Sequence, residues 1–187
     1  MKAGTALTKE QALLFACEIA GQTWYRELSF LYDAVAKSRR HLEVGVYCGR
    51  SLLVASYGMT KGEIVAVDSR VREQDTCVPN EFISDMTDVA VRYSNRAVTV
   101  NCVEANSIDA SRTILGTFDS VFIDGGHSFE EVLSDIECWY PRVNPGGIMM
   151  GHDYWPNHWG VMDAVNRFFG DRFQVVPNTR LWYVRKV

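Results

Sequence analysis

The chain has 187 residues, 47% of them hydrophobic, which suits one domain with a substantial buried core. Its 23 Asp and Glu residues outnumber its 19 Lys and Arg residues and give a formal net charge of -4, so nucleic acid is not an expected partner. The apolar runs are strand-sized, and the N-terminus lacks an apolar signal core. These features also argue against a membrane partner and predict a cytoplasmic location.

Two amphipathic helices are predicted before residue 41. Residues 8–20 begin at Thr8, a favourable N-cap, and carry apolar residues three and four positions apart. A second helix starts near Trp24 and ends in the basic run 37–40, which suits the negative end of a helix dipole. We expect these helices either to cover a binding site or to pack against a second subunit, so a homo-oligomer is one of two alternatives.

From residue 41 onward, short apolar runs alternate with helical stretches, which indicates βαβ units on a parallel sheet. The predicted strands are His41–Val46, Glu63–Val67, Val98–Val103, Ser120–Ile123, Gly147–Met150, Phe173–Val176 and Leu181–Val184. The predicted helices among them are Ser51–Gly58, Glu81–Tyr93, Ser107–Leu115, Phe129–Tyr140 and Val161–Phe169. The short connection at Pro177 permits only an antiparallel hairpin between the last two strands. The predicted fold is therefore α/β: a seven-stranded, mostly parallel sheet with an antiparallel C-terminal strand and helices on both faces. We expect a single domain over residues 1–187, with N-terminal helices at 1–40 and the sheet core at 41–187.

A glycine-containing turn follows the first predicted strand. Gly45 and Gly49 allow a sharp turn from strand to helix and the close approach of a ligand to the backbone. A dinucleotide fingerprint needs G-x-G-x-x-G, whereas here Tyr47 stands where the middle glycine should be. This looser loop disfavours a pyrophosphate and suits S-adenosylmethionine (SAM), which has an amino-acid tail and a sulfonium instead. A purely structural turn is the alternative.

Asp68 ends the second predicted strand, 19 residues after Gly49. At this place a carboxylate can accept hydrogen bonds from both ribose hydroxyls of a nucleoside, because nucleoside-binding α/β folds place an acidic residue about 20 positions after the glycine loop. A solvated strand-end Asp is the alternative. The charged segment that follows, Arg70–Glu81, is predicted to be a mobile cover over the cofactor.

Two later segments resemble the class I SAM-dependent methyltransferases, and the resemblance extends from about residue 41 onward. They are FDSVFIDGGHSFE at residues 118–130 and PGGIMMGHDY at residues 145–154. Both are similar to small bacterial O-methyltransferases, which share their layout with the catechol and sugar O-methyltransferases. The terminal hairpin also fits this family. The resemblance implies a Rossmann-like fold, SAM as cofactor and O-methylation of a small hydroxylated molecule.

The same resemblance implies which residues contact SAM. They are Glu43, Gly45, Gly49 and Ser51 around the methionine moiety, Asp68 at the ribose, Asn106 and Ser107 at the adenine edge, and Asp124 on the methyl side. Many relatives carry an Asp where Asn106 stands, but an amide also supplies a donor and an acceptor.

Asp124, His152 and Asp153 lie at the carboxyl ends of the fourth and fifth predicted strands, where open α/β sheets bind ligands. Two carboxylates and an imidazole can hold a divalent ion such as Mg²⁺, Mn²⁺ or Zn²⁺. In the metal-dependent O-methyltransferases that the chain resembles, these positions carry oxygen ligands for Mg²⁺. His152 is a departure, because imidazole suits Zn²⁺, Mn²⁺ or iron better. Alternatively, the carboxylates orient His152 or the substrate without a metal.

His127 is the candidate general base, with Asp124 and His152 as further catalytic candidates. It lies three residues after Asp124, where the catechol-type enzymes use a lysine. An imidazole with a pKa near ~6.5 can remove a hydroxyl proton close to neutral pH. The alternative is that His127 caps the helix that begins near Ser128. His158 and His41 are not expected at the site, because neither lies at a strand end that faces it.

Two other functions stay open. A nicotinamide-dependent oxidoreductase is disfavoured by the missing middle glycine and by the terminal antiparallel hairpin. A SAM-binding sensor or degenerate methyltransferase without turnover would keep the glycine loop and Asp68. The presence together of Asp124, His127, His152 and Asp153 argues against such a sensor.

Overall fold

The structure is a computed structural model that describes residues 7–70 and 80–187. Within these ranges the helices are α1 (Lys9–Cys17), α2 (Tyr25–Ala34), α3 (Arg50–Gly58), α4 (Asn80–Arg92), α5 (Ser107–Thr113), α6 (Phe129–Trp139) and α7 (Trp159–Phe169). The strands are β1 (Arg40–Val44), β2 (Gly62–Asp68), β3 (Val98–Glu104), β4 (Phe118–Ile123), β5 (Val143–Gly151), β6 (Gln174–Val175) and β7 (Trp182–Arg185). Residues 71–79 of the predicted cover lie outside the described residues.

The strands form one sheet in the order β3-β2-β1-β4-β5-β7-β6. Strands β1 to β5 pair in parallel, whereas β7 runs antiparallel to both β5 and β6. The predicted mostly parallel sheet with an antiparallel C-terminal strand is confirmed. β2 and β3 lie on one side of β1, whereas β4 and β5 lie on the other, so the strand order reverses between β1 and β4. Open α/β sheets bind ligands in the crevice at such a reversal.

Most strands begin or end one or two residues from the predicted positions, and the differences in β1 and β5 have local reasons. β1 ends at Val44 because Gly45 leaves the extended region with φ 84°. β5 begins at Val143, four residues earlier than predicted. The predicted start was too late because the first half of this strand contains a proline and two glycines, which are typical of a turn. The register of β5 against β4 shifts within that stretch, between Phe118 and Ser120.

Helices cover both faces of the sheet, so the core has two layers. On one face, Leu28 of α2 and Leu52 of α3 are fully buried together with the apolar residues of α1. On the other face, Trp139 of α6 and Phe169 of α7 pack against the sheet. The N-terminal helices therefore bury one apolar face against their own chain, while Leu14 of α1 and Tyr25 of α2 stay exposed. Among residues 7–70 and 80–187, no helix is both long enough and apolar enough to cross a membrane.

Candidate functional site

The glycine loop joins β1 to α3 at the carboxyl edge of the sheet. Gly45 and Gly49 have φ values of 84° and 83°. A Cβ at Gly45 would lie 2.0 Å from the carbonyl oxygen of Asp124, so no other residue fits there. Tyr47 also adopts a left-handed conformation, with φ 50°, which is unfavourable for a side chain of this size. The loop therefore passes close beside the end of β4.

Asp68 braces this loop from the end of β2. Its Oδ2 accepts hydrogen bonds from the backbone N–H of Val46 at 2.8 Å and of Tyr47 at 3.0 Å. Its Oδ1 accepts from the N–H of Arg70 at 2.7 Å. Carboxylate oxygens accept more than one bond each. The predicted ribose contact is compatible with this bracing and stays a prediction.

Glu43 lies buried beneath the loop. Its Oε1 accepts a hydrogen bond from the Ser51 hydroxyl at 2.7 Å, which joins β1 to the first turn of α3. Burial, with the added repulsion of Asp124 and Asp68, raises the pKa of Glu43 to about 8. The carboxyl group is therefore largely protonated at neutral pH and adds little negative charge beneath the site.

The predicted adenine edge follows β3. Asn106 is the N-cap of α5, because its Oδ1 accepts from the N–H of Ile108 at 2.9 Å. The Ser107 hydroxyl accepts from the indole N–H of Trp139 at 2.8 Å and also bonds to Asp135. Burial raises the pKa of Asp135 to about 6. Asp135 was not predicted as a site residue, because nothing in the sequence distinguishes it from the other acidic residues of α6.

Asp124, His152 and Asp153 form one cluster where β4 and β5 end. The His152 Nδ1 atom lies 3.5 Å from Asp124 Oδ1 and 3.2 Å from Asp153 Oδ2. One ligand atom from each residue lies within 4.8 Å of the others. Asp153 has φ 56°, a strained conformation for a non-glycine residue that aims its carboxylate into the cluster. The structure thus brings together the three residues that sequence analysis grouped as metal ligands.

Glu27 of α2 lies behind this cluster and was missed by sequence analysis. It is completely buried, and its Oε2 lies 3.0 Å from the Nε2 atom of His152. Arg180, also missed, has its Nη1 atom 3.4 Å from Asp153 Oδ1. The buried side of an amphipathic helix gives the same sequence signal with or without one acidic residue, so Glu27 could not be singled out.

His127 contacts the cluster and does not cap a helix. Its Nε2 lies 3.0 Å from Asp153 Oδ2, and Ser128 is the N-cap of α6, with Glu131 completing the capping box. The cap alternative for His127 is therefore wrong, because the Ser128 hydroxyl already fills that position. The prediction that His158 lies away from the site is also wrong. A short 3₁₀ turn after β5 brings its Nε2 to 3.8 Å from Asp153 Oδ1 and its ring centroid to 4.6 Å from that of His127.

Mutual interaction sets the charges of this cluster. Burial would lower the pKa of His152, but Asp124, Asp153 and Glu27 raise it to about 10. Burial raises the pKa of Asp124 to about 6, although His152 opposes that shift. For Asp153 the hydrogen bonds from His127 and His152 outweigh burial and lower the pKa. Without a metal, His152 is thus a cation between carboxylates.

A single cavity of about 1170 Å³ joins these parts. Its lining includes the glycine loop, Asp68, Asn106 and Ser107, Asp135, and the cluster with His127. Residues 21–23, which precede α2, form another part of the wall. The Arg50 guanidinium holds that segment by donating to the carbonyl oxygens of Ile19 at 2.7 Å and Thr23 at 3.0 Å. The cavity runs along the carboxyl edge of the sheet, at the reversal of strand order.

A protein-family model described as a methyltransferase domain matches residues 42–154. The chain belongs to this family. One curated relative is an uncharacterized protein of Acanthamoeba polyphaga mimivirus. Another is the 8-demethyl-8-alpha-L-rhamnosyl tetracenomycin-C 2'-O-methyltransferase of Streptomyces olivaceus. The viral protein is 25% identical over 70% of this chain and 59% of its own length. The Streptomyces enzyme is 30% identical over 43% of this chain and 24% of its own length. The chain therefore covers less than two thirds of the length of either relative.

Solved structures show the same fold. An SAH-bound methyltransferase of Podospora anserina has a TM-score of 0.68 and 16% identity, with 100% of this chain and 91% of that chain covered. An O-methyltransferase of Bacillus cereus in complex with SAH has a TM-score of 0.64 and 16% identity, with 100% and 94% covered. The predicted resemblance to SAM-dependent methyltransferases with a Rossmann-like fold is confirmed.

Proposed function

We propose that the protein transfers the methyl group of SAM to a hydroxyl oxygen of a small molecule, with a divalent ion held by Asp124, His152 and Asp153. The single observation that carries this proposal is the shared cavity, which connects the glycine loop and Asp68 with the acid and imidazole cluster. The cofactor half and the reacting half of a methyltransferase site would thus face each other across one space. SAH-bound neighbours of the same fold support the cofactor.

The donor set supports the ion. Ligands bound at 2.0–2.2 Å in a tetrahedral site lie about 3.4 Å from one another. The distances from His152 Nδ1 to Asp124 Oδ1 and Asp153 Oδ2, 3.5 and 3.2 Å, are of that size. One imidazole and two carboxylates favour Mn²⁺ or Zn²⁺ over Mg²⁺. When bound, such an ion would polarise the acceptor hydroxyl and favour its deprotonated form.

The remaining residues would position SAM and the acceptor. The glycine loop, Glu43 and Ser51 would hold the methionine moiety, while Asp68 would accept from the ribose and Asn106 and Ser107 would border the adenine. When bound, SAM supplies an electrophilic methyl group. Catalysis then depends mainly on holding the acceptor oxygen about 3 Å from that carbon.

We assign His127 the role of receiving the acceptor proton. Asp153 can only accept a hydrogen bond, so the His127 Nε2 atom carries a proton, and in the neutral imidazole Nδ1 retains the lone pair. The hydrogen bond to Asp153 also raises the pKa of His127, so the neutral, basic form is favoured only as the pH rises above that pKa. The acceptor oxygen would form its new bond to the methyl carbon and would give its proton to Nδ1. The electron pair of the broken bond would remain on the sulfur of the demethylated product.

The decisive experiment combines binding and turnover. After treatment with a chelator, calorimetry should show binding of SAH and no binding of NAD. Methyl transfer to a panel of catechols and sugars should need added Mn²⁺ or Zn²⁺. Asp153→Asn should lose transfer while its SAH affinity stays within a few fold, because Asp153 lies on the acceptor side. Preference for NAD would support an oxidoreductase, and SAH binding without transfer to any acceptor would support a sensor.

A further inference from the structure

Glu27 is the buried partner of His152 and comes from outside the segment that defines the family. It lies on α2, whereas the matched residues are 42–154. Its side chain is 0% exposed, and its Oε2 lies 3.0 Å from His152 Nε2. An ionised carboxylate can only accept a hydrogen bond, so this contact requires a proton on Nε2.

Two backbone N–H groups fix the Glu27 carboxylate, one at the start of the same helix and one 153 positions later in the chain. Oε2 accepts from the backbone N–H of Trp24 at 2.6 Å, and Oε1 accepts from the backbone N–H of Arg180 at 2.9 Å. The Arg180 guanidinium also lies beside the carboxylate, with its Nε atom 3.5 Å from Oε1. The carboxylate is therefore paired with a cation and held in one orientation.

We propose that Glu27 is a positioning residue that keeps the Nε2 proton of His152 in place and thereby presents the Nδ1 atom to the space between Asp124 and Asp153. The Nδ1 atom lies 3.5 and 3.2 Å from these two carboxylates. A carboxylate bound to the far nitrogen of a metal-ligating imidazole fixes both its tautomer and its ring orientation. This inference rests on the proposed function, since it assigns Nδ1 to the ion.

A purely structural role is the competing explanation. Glu27 could serve only to attach α2 to the sheet, in which case any comparable weakening of α2 would have the same effect. Leu28 offers a matched control, because it is the next residue of the same helix and is equally buried. Leu28→Ala loosens the packing of α2 but leaves the bond to His152 intact.

The first measurement is Mn²⁺ affinity in the full chain. Glu27→Gln keeps the size of the side chain and removes its charge, because an NH₂ donor replaces one of the two acceptor oxygens. We expect Mn²⁺ affinity to fall about 10–100-fold in Glu27→Gln, the range for loss of such an outer partner. It should change little in Leu28→Ala. SAH affinity should stay near that of the wild type in both variants.

The second measurement reads the imidazole ring directly. The chain has 4 histidines, so their ring nitrogen signals can be assigned by single substitution in a nitrogen-15-labelled sample. The Nε2 signal of His152 should move in Glu27→Gln and not in Leu28→Ala, while His41 should be unaffected in both. If the wild type binds no Mn²⁺, the proposed ion fails and the ring spectrum alone decides the positioning role. An unchanged His152 spectrum in Glu27→Gln, or an equal loss in Leu28→Ala, would overturn the inference.

Discussion

At the scale of single residues, the Asp153 carboxylate is the point where four side chains meet. His127, His152, His158 and Arg180 all approach it, and its backbone is held at φ 56°. A strained residue persists only where its surroundings fix it. The chain therefore gives up some local stability to place this one carboxylate where it both contacts the proposed base and belongs to the proposed ion site.

The role of His127 can be tested by replacing it. If it takes the acceptor proton, His127→Gln should lower turnover by about 10²–10⁴-fold and leave SAH binding unchanged, because a general base acts on the transition state. The measurements are single-turnover methyl transfer and SAH calorimetry on the same preparation. Wild-type turnover in a fully folded variant would remove His127 from the mechanism.

Asp68 is predicted to serve both the loop and the ribose. Asp68→Ala removes the acceptor for the N–H groups of Val46 and Tyr47 as well as for the ribose hydroxyls. We expect SAH binding to weaken by about 1–3 kcal/mol, the cost of leaving such donors unpaired. Asp68→Asn, which keeps one oxygen for the loop, should lose less. An SAH titration of each variant that matched the wild type would contradict the ribose assignment.

Glu43 should make the stability of the protein depend on pH. Its folded pKa is about 8, above the unfolded value of 4.5, so the folded state binds the proton more tightly. The resulting stabilisation is complete below pH 4.5 and is lost as the pH rises toward 8. Glu43→Gln cannot ionise, so its free energy of unfolding should not show this loss. Relative to the wild type, it should gain on the order of a few kcal/mol as the pH rises. Denaturant unfolding at pH 5 and pH 8 measures the difference, and parallel pH profiles would refute it.

At the scale of the element, α6 gives the control for His127. Ser128 caps this helix, with its hydroxyl 3.3 Å from the N–H of Glu131. Ser128→Ala should lower the free energy of unfolding by ~1 kcal/mol and leave turnover near normal in the folded fraction. Thermal unfolding and single-turnover rates on this variant and on His127→Gln separate cap from base. A Ser128→Ala variant of unchanged stability would contradict the capping box.

Local patterns were sufficient to predict most elements and the residues at their ends. Strand ends and glycine turns are encoded within a few neighbouring residues, which is why the loop, Asp68 and the Asp124 cluster could be found. Glu27 and Arg180 could not, because their contacts join residues 125 and 153 positions apart. His158 was misplaced for a related reason: the turn that folds it back toward His127 has no periodic pattern.

At the scale of the whole molecule, cofactor binding should be visible as stability. A ligand that binds only the folded state adds about 2.7 kcal/mol at one hundred times its dissociation constant. For a chain of this size, that corresponds to a rise in Tm of roughly 5–10 °C. SAH should produce this rise and NAD should not. Asp68→Ala at the same SAH concentration should show a smaller one, and an equal response to NAD would speak against the assigned cofactor.

The contact between Glu27 and Arg180 has a consequence for the order in which the molecule is made. Ribosomes deliver the N-terminal part first, so β1, β2 and the loop braced by Asp68 leave the exit tunnel while later residues are still inside it. The carboxylate of Glu27 must wait for the N–H of Arg180, 153 positions later, and for β7 to settle beside β5. In a nascent chain, the glycine loop and Asp68 are thus available before the residues that surround Asp153.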